Sequence, residues 1–148
     1  MFSEEEKSTA LEKAIKEIND RSSKVKKVTF GYNDCWTFAA IYDQKLRQTG
    51  LEASRNIDFE YTNTFGFLRG LIKKDLDLEK LIEYCSYDIV TNRRPILGDV
   101  AYNYGATMIA NKDGWWVTTS EKNEGIIHCH QISFIERNLK LLARPRSV

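Results

Sequence analysis

After Pro95 the hydrophobic pattern of this chain changes period, and that change limits the folds open to it. Before it the apolar residues keep helical spacing. Ser3 and Glu6 form a capping box, and Leu11, Ile15 and Ile18 follow on one face, which predicts an amphipathic helix over 4–20. Residues 24–30 are a short extended approach. Asn33 or Asp34 then caps a second helix from Cys35 to Gln48, closed by Gly50, with an inner face of Cys35, Ala39, Tyr42 and Leu46. A polar connection over 51–60 leads to helical segments over 64–72 and 76–85.

Beyond Pro95 the spacing becomes that of strands, expected at Val100–Tyr104, Thr107–Ala110, Trp115–Thr119 and Ile126–Phe134. Asn111–Gly114 and Glu121–Gly125 supply the hairpin turns between them. Helices first and an antiparallel meander afterwards predict an α+β fold in which the helices pack on one sheet. In Trp115-Trp116, alternation sends one indole to the core and the other outward.

The chain has 148 residues, 42% hydrophobic and 29% charged, which suits one folded domain over 1–148. Its formal net charge is +1, so no bulk field draws it to nucleic acid or a membrane. The basic runs at Lys24, Lys26 and Lys27, at Lys73 and Lys74, and at Arg93 and Arg94 read as solvated faces. No apolar stretch reaches the length of a membrane span, so no membrane insertion is expected. The N-terminus opens on acidic residues, unlike a secretion signal, which leads to an expectation of synthesis in a cytoplasm without a signal peptide. Cys35, Cys85 and Cys129 are odd in number and widely spaced, the pattern of reduced thiols rather than a disulfide framework. No paired-cysteine metal motif is present, and neither cofactor nor metal is expected.

Two stretches carry a resemblance. Gly31-Tyr32-Asn33-Asp34-Cys35-Trp36-Thr37-Phe38 resembles the cysteine motif of NlpC-type cell-wall peptidases, papain-like in fold. Arg94-Pro95-Ile96-Leu97-Gly98-Asp99-Val100-Ala101-Tyr102 resembles their Pro-x-x-Gly-Asp turn into the first sheet strand. The likeness spans 28–134 and leaves 1–24 as an N-terminal helical extension. It is nearer to an uncharacterised branch of bacteriophages and prophages that keeps Gly-x-x-Asp-Cys, a segment like Tyr61-Thr62-Asn63-Thr64, and Gly-Asp-Val.

The resemblance implies a papain-like fold with Cys35 as nucleophile. A helix N-terminus favours a thiolate through its free amides and dipole, and those amides can hold an oxyanion. Asp34 opposes this unless the cap uses its charge. A histidine must accept the proton and return it to the leaving amine. The family keeps that histidine at the start of the strand after the Gly-Asp strand, where this chain has Tyr104-Gly105-Ala106, so Gly105 takes its place. The chain's two histidines, His128 and His130, come later and flank Cys129 on one strand face. Either is a substitute base if the sheet order brings it to Cys35. Otherwise they are a surface or interface pair, or two ligands of a zinc site without a third. Cys35 itself is either a retained site or inherited core packing, and Cys85 and Cys129 are packing residues.

Three functional expectations follow. The first is a phage-encoded papain-like domain with a degenerate site, a virion or tail structural or assembly component whose partners are other virion or tail proteins. It is made in the host cytoplasm and incorporated in the particle. The second is an active cysteine peptidase or amidase that cleaves peptidoglycan stem peptides. The third is an intracellular binding module.

Overall fold

A computed structural model describes residues 1–48, 86–91, 94–103, 106–112, 114–131 and 141–147. The expected helices over 64–72 and 76–85, the connection over 51–60, Tyr61–Thr64, Cys85, Tyr104 and Gly105 lie outside these residues. Among the described residues the protein is α+β, with two helices and a six-stranded antiparallel sheet.

Helix α1, Glu4–Val25, begins at the Ser3 capping box, with Ser3 and Glu6 exchanging side-chain-to-backbone hydrogen bonds. It runs past the expected end at residue 20, because no breaker intervenes before Lys26 takes the left-handed conformation. Leu11, Ala14 and Ile18 are buried along its inner stripe. Helix α2, Cys35–Arg47, lies against α1 and across the sheet. Its buried stripe is Phe38, Ile41, Tyr42 and Leu46, while Cys35 and Ala39 are only half-buried. The expected inner face was therefore right in Tyr42 and Leu46 and out of phase at its start. The large side chains at spacings of three and four set the stripe.

The strands are β1 (Tyr87–Ile89), β2 (Val100–Asn103), β3 (Ala106–Ala110), β4 (Trp115–Thr119), β5 (Ile127–Gln131) and β6 (Leu141–Pro145). They lie in the order β1-β6-β2-β3-β4-β5. The expected meander is β2 to β5, with a single 3-10 turn at Glu121–Asn123 between β4 and β5. β1 and β6 were not expected, and β6 inserts between β1 and β2.

Each face of the sheet carries a buried cluster. Val100, Ile109, Val117, Leu141 and Ala143 join the helices in one core. Ala101, Met108, Ala110, Trp116 and Leu142 form a second cluster on the far face. Trp116 is 0% exposed and Trp115 is 37% exposed, as the alternation requires.

A buried polar network joins the α1–α2 connection to the β4–β5 turn. Asn33 accepts from the Thr29 N–H and donates to the Lys27 carbonyl and to Ser22 Oγ. Ser22 and Thr119 both donate to the Gly125 carbonyl, at 2.7 and 2.6 Å. Every polar group in that cluster is thereby paired, which fixes the loop that presents Asp34 and Cys35.

Candidate functional site

Of Asn33 and Asp34, the structure gives the two residues different duties. Asn33 holds the loop, and Asp34 is the cap of α2, its carboxylate accepting the Thr37 N–H at 3.1 Å. Cys35 is consequently the first helical residue, where free amides face outward.

The sulfur meets the start of β3. The Thr107 N–H donates to Cys35 Sγ at 3.3 Å. Burial is the main influence on the thiol and pushes its pKa up. The Thr107 amide pulls it down, Asp34 adds to the rise, and the Thr107 side chain and Cys35's own amide pull down again. The net direction is up, so the helix N-terminus does not by itself yield a thiolate here.

The Gly-Asp turn is a structural joint. Asp99 is fully buried, and Arg144 of β6 grips both its carboxylate oxygens, at 2.9 Å each. The Ile96 N–H donates to the same carboxylate. Tyr42 of α2 donates to the Gly98 carbonyl at 3.1 Å, tying the cysteine helix to the entry of β2.

The sheet register decides where the histidines lie. On β5, His128 stands opposite Thr118 and His130 opposite Trp116. Directly opposed residues of antiparallel strands share a face, and Trp116 belongs to the far cluster. His128 and His130 therefore project from the face away from the helices, while Cys35 contacts the helix face through Thr107. The structure does not bring either histidine to Cys35. Cys129 opposes Val117, points to the helix side and is exposed.

Thr107 is the residue that sequence reasoning missed. It opposes Tyr102, and Tyr102 packs against the helix-side core, so Thr107 is the first residue of β3 on that face. The signal was available in principle: strand alternation places the inward residue of β3 at 107 or 109, once Ile109 is known to face the helices. Among the described residues, no group of three or more His, Cys, Asp and Glu could hold a metal ion. No helix among them is long and apolar enough to cross a membrane.

No family model, curated protein or solved structure matches the chain.

Proposed function

We propose that this chain is a papain-like domain of NlpC type with a degenerate site, serving a bacteriophage as a non-catalytic virion or tail-assembly component. The observation that carries the non-catalytic part is the partner of the sulfur. Cys35 has the address of a nucleophile, at the first turn of a helix laid on an antiparallel sheet, yet it faces Thr107. Both histidines project from the other face. A thiol whose pKa burial raises, in a chain whose two imidazoles lie on the other sheet face, is a poor nucleophile at neutral pH. The papain-like identity is supported by the order of elements from α2 to β5. The phage role is supported by the likeness of Gly31–Phe38 and Arg94–Tyr102 to that branch.

The test is the pH dependence of Cys35 alkylation, read by peptide mass so that exposed Cys129 serves as the internal reference. Wild type is compared with His128→Ala and His130→Ala. The expected profile has an apparent pKa above the free-thiol value of about 8.5 and ignores both changes. A depressed pKa that moves with either histidine would replace this reading with that of an active peptidase or amidase. Co-purification with virions separates a particle component from an intracellular binding module.

A further inference from the structure

His128 and His130 have no part in the reading above, and the structure gives them a geometry of their own. They sit two residues apart on β5, on one face, with ring centroids 4.7 Å apart and planes 80° apart. A metal held by two imidazoles lies about 2.0–2.1 Å from each nitrogen and so about 3.2 Å from each ring centre. Ligand angles between square and tetrahedral then put the ring centres about 4.5–5.2 Å apart. The observed separation falls inside that range.

Two further observations agree. His128 Nδ1 is buried and, among the described residues, has no hydrogen-bond partner, an orphaned ring nitrogen of the kind a bound ion or its water would satisfy. Trp116, directly across from His130, is fully buried, and among the described residues its indole N–H has no hydrogen-bond partner. A water carried by a bound ion would give that donor an acceptor.

We propose that His128 and His130 form a two-imidazole site for a borderline divalent transition metal such as Ni²⁺, Cu²⁺ or Zn²⁺, with water completing the coordination. Imidazole donors favour these ions over Mg²⁺ and Ca²⁺, which take oxygen ligands. Turning the rings about the soft Cβ–Cγ torsion aims the nitrogens at one point. With two protein ligands the site holds its ion less tightly than a four-ligand structural zinc site. It lies on the opposite sheet face from Cys35, so it is independent of the proposal about that cysteine.

The experiment is calorimetric titration of the tag-free chain with NiCl2 at pH 7.5. Wild type is compared with His128→Ala, His130→Ala, the more conservative His128→Gln, and Cys129→Ser, and thermal melts verify that each variant folds. One equivalent should bind wild type and the Cys129→Ser variant alike. Each histidine change should weaken binding by about ten-fold or more, because a chelate becomes a single ligand. MgCl2 should give no heat of binding. No binding by wild type, binding that survives loss of both histidines, or binding lost with Cys129 would each overturn the assignment.

Discussion

Gly125→Ala tests the polar network at its tightest point. Gly125 has φ +85°, a left-handed conformation that costs a residue with a Cβ about 1–2 kcal/mol. An added Cβ would also lie 2.5 Å from Asn33 Nδ2 and 2.8 Å from Ser22 Oγ. Neither neighbour can retreat freely. Asn33 is locked by three hydrogen bonds, and Ser22 by its bonds to Asn33 and the Gly125 carbonyl. Displacing them breaks at least two buried bonds, at about 1 kcal/mol each or more where a group is left unpaired. The expected loss is about 4 kcal/mol, a large part of the total stability of a typical domain. Gly114→Ala is the matched control, because Gly114 has φ +78° and, among the described residues, nothing within 4 Å of the added Cβ. It carries the backbone strain alone, about 1–2 kcal/mol. Urea denaturation of both variants, with slopes checked for constancy, measures the difference. In thermal melts the Gly125 variant should fall about 10 °C, and the control about a third as far. Equal losses at the two glycines would refute the claim that packing around Asn33 and Ser22, rather than backbone conformation, makes glycine necessary at 125.

Other consequences follow from the same contacts. Arg144→Met leaves the buried Asp99 carboxylate, among the described residues, with the Ile96 amide as its hydrogen-bond donor and should cost about 3 kcal/mol in urea denaturation, while adding Asp99→Asn should restore part of it. Thr107→His keeps the backbone amide on Cys35 and puts an imidazole in place of the Thr107 side chain that acts on the same sulfur. Alkylation of Cys35 at pH 7 should then quicken by about ten-fold, and an unchanged rate would show that position 107 does not command the sulfur. His128 has a lower pKa folded than unfolded, so the native state binds fewer protons as both titrate. Stability is therefore full above the unfolded value of about 6.5 and declines as pH falls through it and the lower folded value. The urea midpoint should drop between pH 7.5 and 5.5, and the drop should shrink in His128→Gln.

The amphipathic helices and the meander were legible because their signals are local. The Ser3 capping box and the stripe from Leu11 to Ile18 define α1 within a few turns. β1 and β6 carried no such signal. β1 has three residues, and Leu141–Pro145 shows no alternation because β6 is buried on both faces, with Leu142 on one and Leu141 and Ala143 on the other. Its arginine is there to meet Asp99, a residue far away in the chain. The site divides the same way. The sequence showed that Cys35 opens a capped helix and that His128 and His130 share a face. Which face they share depends on the β4–β5 register, and the meeting of Cys35 with Thr107 depends on how α2 lies on the sheet. Both are long-range facts.

The place of β6 also sets an order of events. Hairpins can build β2 through β5 from neighbours in sequence, but β1 has no partner until β6 returns across the sheet to lie between it and β2. Closing that long loop is the entropically expensive move and the natural slow step of assembly. Before it, Asp99 waits without its arginine and one edge of β2 is open to any stray strand. β6 thus acts as the keystone of the sheet. A chain in which β6 has yet to dock is the one most exposed to mispairing with another chain.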